Sequence, residues 1–288
     1  MSALPERLFE RGLLAAALAG GAVSLLIFGF MLVMGLPLFG GGFLPRLLAG
    51  AWNPGAQAYG ILPMLAGTLG IALASLIFAF PISLGCAAFA AAIAPQRIRR
   101  FFRRMVQLMT GIPTVIYGFV GIFLLVPAVR GLAGGGSGLS LLGAALMLAL
   151  LISPTMILFF GNALDQVPQC YLQAADALGA SPAQKLLFVM LPQARTGILS
   201  GLILAFGRAL GDTMIALMIA GNAAQLPDSL FAAVRTLTAH IALVIAADVE
   251  SIEFKSIFAC GVLLYLISAF LVFALRLIGS NRKGSVRQ

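Results

Sequence analysis

The chain has 288 residues, of which 61% are hydrophobic and 9% are charged, whereas soluble domains are about half apolar and about a quarter charged. Its formal net charge of +9 does not indicate nucleic-acid binding, because the lysines and arginines lie in short clusters between apolar segments. Composition therefore excludes a soluble domain and predicts an all-α, polytopic membrane protein.

Six apolar segments are long enough to cross a bilayer, since a spanning helix needs about 20 residues. The predicted spans cover residues 13–36, 67–92, 106–129, 139–160, 197–221 and 258–278. An entry segment from Tyr59 precedes the second span, which Pro81 is expected to kink. The first span begins like a signal peptide, but its apolar run continues to Leu38. Residues 1–60 are therefore predicted to be an anchor helix and an external loop.

Two longer segments between the spans are more polar. Residues 162–196 form a mixed segment between the fourth and fifth spans. Residues 222–255 contain an apolar stretch, 241–247, that is too short to cross the bilayer. This stretch is predicted to be re-entrant or interfacial.

The positive charges predict the orientation. Thirteen of the 18 lysines and arginines fall on one side of the six-span arrangement, four fall on the other, and Arg208 lies within a span. Because positive charge collects on the cytoplasmic side, both termini and segment 162–196 are predicted to be cytoplasmic. The cluster of five arginines from Arg97 to Arg104 is interpreted as a topology signal in contact with lipid headgroups.

Residues that usually hold metals or nucleotides are scarce. Cys86, Cys170 and Cys260 lie far apart in apolar surroundings, without the spacing of a disulfide framework or a zinc site. The single histidine, His240, has no evident acidic or metal partner and is interpreted as structural. The sequence has no Gly-rich loop ending in Gly-Lys-Ser or Gly-Lys-Thr, the motif that holds nucleotide phosphates. No catalytic residue, metal or cofactor is therefore expected on this chain.

A loop motif lies within segment 162–196. Gln173-Ala174-Ala175, Gly179, Val189, Leu191 and Pro192 have the spacing of the motif of bacterial ABC importer permeases, which usually has Glu in place of Gln173. Small alanines on one face of a short amphipathic helix from Tyr171 to Leu178 permit close approach of another protein, and Gly179 ends that helix. The resemblance implies that the helix docks onto a separate ATPase subunit, so that this chain is a transport subunit and not an enzyme. The coupling residues implied are Gln173, Ala174, Ala175, Asp176, Gly179, Leu191 and Pro192.

Two further stretches narrow the resemblance. Residues 111–118, Gly-Ile-Pro-Thr-Val-Ile-Tyr-Gly, and 207–214, Gly-Arg-Ala-Leu-Gly-Asp-Thr-Met, resemble the phosphate importer permeases of the PstC type, which usually have Glu in place of Asp212. The resemblance implies a type I ABC importer permease fold in a bacterial inner membrane, with 61–288 as the permease core. It also implies a second homologous permease subunit, two ATPase subunits on the cytoplasmic face and an external phosphate-binding protein.

Arg208 is the candidate translocation contact. It lies near the middle of the predicted fifth span, where a charge costs about 2.5 to 3.5 kcal/mol. Asp212 follows at i+4, so the two side chains are predicted to share one helix face and to neutralise each other when no ligand is present. A guanidinium matches the edge formed by two phosphate oxygens, and Asp212 could accept a hydrogen bond from the proton that phosphate carries. Thr213, Thr114 and Tyr117 are further candidates to line the pathway.

Other functions remain compatible with parts of the sequence. An ABC permease for sulfate, molybdate or phosphonate would share the loop motif, although the charge pair and residues 111–118 favour phosphate. An ATP-independent secondary transporter or channel would also use intramembrane charges, but it needs no docking site for an ATPase. A structural or assembly protein would need no buried charges.

Overall fold

Helices dominate the protein. The structure is a computed structural model that describes residues 3–39 and 52–285, with side chains described within 9–35 and 52–277. The helices are α1 (Ala3–Phe39), α2 (Leu62–Ala92), α3 (Gln96–Thr110), α4 (Thr114–Leu132), α5 (Leu141–Asp165), α6 (Gln169–Ala177), α7 (Pro182–Leu210), α8 (Met214–Ile219), α9 (Leu237–Val244) and α10 (Ile252–Ser285). Six are long and apolar enough to cross a membrane: α1, α2, α4, α5, α7 and α10. The predicted all-α fold with six spans is confirmed.

The third span starts later than predicted. Residues 106–110 belong to α3, a separate amphipathic helix, and α4 begins at Thr114. Pro113 precedes α4 in extended conformation. Since proline has no N–H to donate, it separates the two helices. The sequence analysis extended the span backwards because apolar residues continue across this break.

The second and fifth spans, in contrast, start earlier than predicted. α2 begins at Leu62 and continues through Pro81 as one helix of 31 residues, so Leu62 to Gly67 belong to the span and not to a separate entry segment. α7 begins at Pro182, where Ser181 and Gln184 form a capping box. The predicted polar segment 162–196 therefore consists of the end of α5, the short α6 and the first turns of α7.

Two spans contain a π-helical turn just before a proline. Gly121–Leu125 in α4 precedes Pro127, and Leu186–Met190 in α7 precedes Pro192. A proline inside a helix removes a hydrogen bond and crowds the preceding turn. The wider π turn accommodates this locally, so both helices continue through their prolines.

The core lies around α5. This helix packs against α2 and α7, and its Ile152, Met156 and Phe160 are fully buried. Small residues allow the close approach, since a Cβ on Gly201 of α7 would lie 2.9 Å from the Cβ of Phe159. Helices in membranes associate through such small residues, because lipid supplies no hydrophobic force between them.

The N-terminal anchor lies outside this core. α1 packs along α10, where Phe28 stacks on Tyr265 with ring centroids 4.3 Å apart. Its most apolar stretch has no buried residue, so most of its surface is available to lipid. Residues 40–51 of the predicted external loop lie outside the described residues. The loop continues as a hairpin in which β1 (Trp52–Asn53) pairs antiparallel with β2 (Ala58–Tyr59), and Trp52 lies opposite Tyr59.

His240 has the structural role expected of it. It is fully buried in α9, its Nε2 lies 3.1 Å from the Ser256 hydroxyl of α10, and its ring meets Trp52 edge to face. Burial, assisted by the charge of Arg235, lowers the pKa of His240 to about 4. The neutral imidazole therefore joins α9, α10 and the hairpin.

Candidate functional site

The helix carrying Arg208 ends two residues after it. α7 stops at Leu210, and α8 begins at Met214 after a break that contains Asp212. Asp212 Oδ2 accepts a hydrogen bond from the Ile215 backbone N–H at 2.9 Å, so its carboxylate helps to cap α8. The prediction that Arg208 and Asp212 share one helix face is wrong, because i+4 spacing brings side chains together only on a continuous helix.

Arg208 has a neutral hydrogen-bond partner. Its Nη1 donates to the Thr155 hydroxyl of α5 at 3.0 Å. Among the described residues, ion pairs within 4.0 Å form at Arg99, Arg103 and Lys185, and Arg208 is not among them. The guanidinium therefore forms no ion pair within 4.0 Å among these residues.

Tyr117 lies near this charge. The Arg208 charge acts on both the Tyr117 phenol and the Asp212 carboxylate, so the structure brings the three groups within Coulombic range. Tyr117 also donates a long hydrogen bond of 3.4 Å to the Met109 carbonyl. Thr114 begins α4 one turn earlier, and Thr213 is the N-cap residue of α8. The five predicted pathway residues thus lie on α4, at the end of α7, and in the break that leads into α8.

The close packing of α4 on α8 depends on a glycine. A Cβ on Gly118 would lie 2.5 Å from Met218 Sδ of α8, closer than real Cβ atoms approach. Gly118 is the residue after Tyr117, so this contact packs the part of α4 that carries Tyr117 against α8.

The sequence analysis missed Thr155. It lies after Pro154 in the middle of α5, and Ser153 before the proline donates to the Ala149 carbonyl at 2.6 Å. Hydroxyl side chains in a spanning helix usually bond to their own backbone, which makes them inconspicuous. The signal that could have found Thr155 is a polar pair flanking a proline inside an apolar span.

The segment between α8 and α9 also contacts the site. The Thr238 hydroxyl of α9 donates to the Asp212 carbonyl at 3.0 Å. The Val234 N–H donates to the Ala220 carbonyl at 2.8 Å, and the Leu237 N–H donates to the Thr68 hydroxyl at 2.9 Å. Residues 221–238 therefore lie across the ends of α8 and α2. The predicted short apolar stretch does not cross the membrane as a span, since α9 has eight residues.

The short helix predicted at the loop motif is present as α6, which runs from Gln169 to Ala177; its coupling role stays a prediction. Gly179, directly after its end, has a φ of 75°, a left-handed conformation that glycine adopts without strain and that commonly ends helices. Gln173, Ala174 and Asp176 are exposed, whereas Ala175 is buried, so the two alanines do not share an exposed face as predicted.

Contacts fix α6 to the start of α7. Lys185 Nζ lies 2.6 Å from Asp176 Oδ1, and both side chains border a polar cavity of about 220 Å³ beside the end of α2. Leu191 is half-buried, and Pro192 is exposed just after the π turn of α7. Leu178 and Phe188 expose 88% and 74% of their surface. Such large apolar side chains beside a polar loop are typical of a protein contact.

Sequence comparison defines the family. Residues 79–283 match the family described as binding-protein-dependent transport system inner membrane component. The chain belongs to this family. As a binding-protein-dependent transport component, it is a multi-pass inner membrane protein and a permease subunit of an ABC importer. The family match begins inside α2, and the predicted boundary between residues 60 and 61 stays a prediction.

Curated relatives of this transport component are themselves permeases. It is 32% identical over 298 residues to the phosphate transport system permease protein PstC of Mesorhizobium japonicum, covering 95% of this chain and 89% of the relative. It is 31% identical over 275 residues to the probable ABC transporter permease protein YqgH of Bacillus subtilis, covering 93% and 89%. The predicted resemblance to PstC-type permeases is confirmed.

Solved structures confirm the type I importer permease fold. A chain of the bacterial alginate ABC transporter, in complex with alginate pentasaccharide-bound periplasmic protein, superposes with a TM-score of 0.62 at 15% identity, covering 95% of this chain and 96% of that chain. A chain of the MetNI methionine ABC transporter in an inward-facing conformation gives a TM-score of 0.61 at 19% identity, covering 80% and 99%. At these identities the likeness concerns the fold alone.

Proposed function

We propose that this chain translocates inorganic phosphate as one of two homologous permease subunits of an ATP-driven importer. Two ATPase subunits would bind its cytoplasmic face, and a phosphate-binding protein would deliver the ion from outside. Both termini and α6 would be cytoplasmic, as the distribution of lysine and arginine predicts. The chain itself would hold no cofactor, because ATP is hydrolysed by the partner.

The charge of Arg208, which forms no close ion pair among the described residues, carries this proposal. A guanidinium at the end of a spanning helix, held by the Thr155 hydroxyl and without a carboxylate within 4.0 Å among the described residues, favours an anion as its partner. Phosphate can accept two parallel hydrogen bonds from its N–H groups. The curated PstC relatives support phosphate as this anion.

Asp212 would add selectivity. Its Oδ2 is engaged by the Ile215 N–H at 2.9 Å, and a carboxylate in this position can accept a hydrogen bond from protonated phosphate. Fully ionised sulfate has no proton to donate and would be repelled. Tyr117, Thr114 and Thr213 would line the same passage.

Coupling to ATP hydrolysis would run through α6 and α7. Closure of the ATPase pair would move α6, and the Lys185–Asp176 ion pair joins α6 to the beginning of α7. Arg208 lies near the other end of this helix. Movement of the loop would therefore reach the site directly and alternate its access between the two sides.

A second candidate is import of another tetrahedral oxyanion. Arg208 alone would bind sulfate, molybdate or phosphonate by the same hydrogen bonds. The solved permeases of this fold come from alginate and methionine transporters, so the fold does not select the substrate. An ATP-independent transporter is disfavoured by membership of the binding-protein-dependent family.

The test is ATP-dependent uptake of labelled phosphate into vesicles that contain the complete complex, with sulfate and molybdate as competitors. We expect Arg208→Ala to abolish uptake in a complex that still assembles, and Arg208→Lys to reduce it strongly, because lysine cannot make the bidentate contact. Full activity of Arg208→Lys would contradict bidentate binding. Uptake of another anion in preference to phosphate would support the second candidate.

A further inference from the structure

The helix α3 presents three different faces along its 15 residues. It contains five arginines and no acidic residue. At about 100° per residue, its side chains divide into an inner face, an exposed apolar face and an exposed basic face. The inner face contacts the rest of the protein, whereas the other two faces are exposed.

The inner face attaches α3 to the end of α5. Arg99 bonds to Asp165, and Arg103 bonds to both Asp165 and Asn162, with 3.3 Å between Arg103 Nη1 and Asp165 Oδ2. Val106 on the same face is 3% exposed. Two of the five arginines are therefore used within the protein, which the sequence interpretation of the cluster did not distinguish.

The apolar face is exposed although its residues are large. Ile98, Phe101, Met105 and Leu108 follow each other at spacings of three and four residues, which places them on one side of the helix. Phe101 and Leu108 expose 64% and 67% of their surface. A face of this kind is unfavourable in water and favourable among lipid acyl chains.

The basic face lies directly beside the apolar one. Arg97, Arg100 and Arg104 are all exposed and also repeat at spacings of three and four residues. The two exposed faces are about 90° apart around the helix. Within the described part of the chain, these three arginines make no ion pair within 4.0 Å.

The position of α3 is that of a helix at the membrane surface. It follows the end of α2, precedes the start of α4, and is tied to the last residue of α5. Three spans therefore begin or end beside it. Its Phe102 and Val106 border a groove formed by small residues of α2 and α5, among them Ala87 and Gly161. α3 thus covers helix ends at the level where they leave the membrane.

We propose that α3 is a binding surface for anionic phospholipids. The apolar face inserts between acyl chains, and Arg97, Arg100 and Arg104 bind the phosphodiester groups of the adjacent headgroups. Charge complementarity argues for this occupant, because three unpaired guanidiniums beside an apolar face match an anionic headgroup above an acyl chain. The inner ion pairs hold the helix in the orientation that exposes both faces.

The test measures lipid binding by the complete complex. The complex is reconstituted with phosphatidylcholine and phosphatidylglycerol, and the phosphatidylglycerol retained after purification is measured by native mass spectrometry. A variant with Arg97, Arg100 and Arg104 all changed to Gln should retain at least several-fold less of it, since each basic residue near an anionic surface contributes about fivefold in binding. The corresponding triple Lys variant should keep most of it.

Matched controls separate this surface from others. Arg130→Gln removes another exposed arginine, from the last turn of α4, and should leave retention unchanged. If the triple Gln variant fails to assemble, retention is measured in the three single Gln variants of α3. In addition, a photoreactive phosphatidylglycerol should label α3 in the intact complex and label it less in these variants.

Two results would overturn the proposal. One is unchanged retention and labelling in the Gln variants. The other is loss of the ATPase subunits from the complex while phosphatidylglycerol remains bound, because this would show that the basic face contacts protein. Phosphate uptake is not the readout, so failure of the proposed transport function would leave the lipid result unaffected.

Discussion

Arg208 has a hydroxyl as its partner where the sequence suggested a carboxylate. A carboxylate would neutralise the guanidinium, whereas the Thr155 hydroxyl at 3.0 Å satisfies a donor and leaves the charge in place. A hydrogen bond to a charged group is worth about 1.5 to 3 kcal/mol. Thr155 is therefore expected to fix the direction of the guanidinium rather than its charge.

Thr155→Val should lower ATP-dependent phosphate uptake by about tenfold, because it keeps the side-chain shape and removes a hydrogen bond to a charged group. Thr155→Ser should restore most of the uptake. Ser153→Ala is the control, since Ser153 bonds to the Ala149 carbonyl of its own helix and should have little effect. Equal uptake by Thr155→Val and the unmodified chain would exclude the positioning role.

At the scale of elements, largely non-helical backbone between α8 and α9 packs across the ends of α8 and α2. Several backbone groups of residues 221–238 bond to α8, α2 and the start of α5, as when the Leu141 N–H donates to the Ala232 carbonyl at 2.9 Å. Buried irregular backbone is tolerated only where such partners exist. Gly67 of α2 permits the closest of these contacts, because a Cβ there would collide with the Arg235 carbonyl oxygen.

Gly67→Ala should displace this segment and destabilise the chain by about 1 to 3 kcal/mol, as overpacking of a buried site does. The measurement is the thermal stability of the purified complex, together with protease sensitivity of residues 221–238. Gly85→Ala in the same helix is the control, since a Cβ at Gly85 has open space around it. Equal stability of the two variants would contradict the close contact.

At the scale of the whole molecule, one helix joins the coupling loop to the candidate site. α7 runs from Pro182 to Leu210, which corresponds to about 40 Å at 1.5 Å per residue. Its π turn absorbs Pro192 and keeps the helix continuous. Arg208 at one end and the α6 contacts at the other therefore belong to one continuous helix.

Leu178→Gln should weaken binding of the ATPase subunits and lower uptake, while the chain itself remains folded. Leu178 exposes 88% of its surface, so its replacement removes apolar contact area with a partner and little internal packing. The control is Leu132→Gln. Leu132 is the last residue of α4, is 79% exposed, and lies outside the loop motif. The result is read from the amount of ATPase subunit that copurifies with the chain, and full copurification of Leu178→Gln would contradict the docking role.

Much of the architecture was open to prediction because bilayer thickness and backbone hydrogen bonding constrain it strongly. The six spans, α6 and its end at Gly179 follow from apolar length and from turn chemistry. Span boundaries were less predictable. Apolar residues continue across Pro113 into α3, and the helical turns of α7 extend into residues that are polar enough to be read as a loop.

The sequence by itself determined the class of protein, the number of spans and the identity of Arg208 as an unusual charge, because these depend on composition and on local spacing. Only the tertiary structure decided that Arg208 bonds to Thr155, that Asp212 caps α8, and that the arginines of α3 divide between Asp165 and an exposed face. Those outcomes depend on where α7 stops and on which helix lies beside it. Contacts between residues far apart in the chain leave no pattern in the local sequence, so these side-chain partners could be identified only from the tertiary structure.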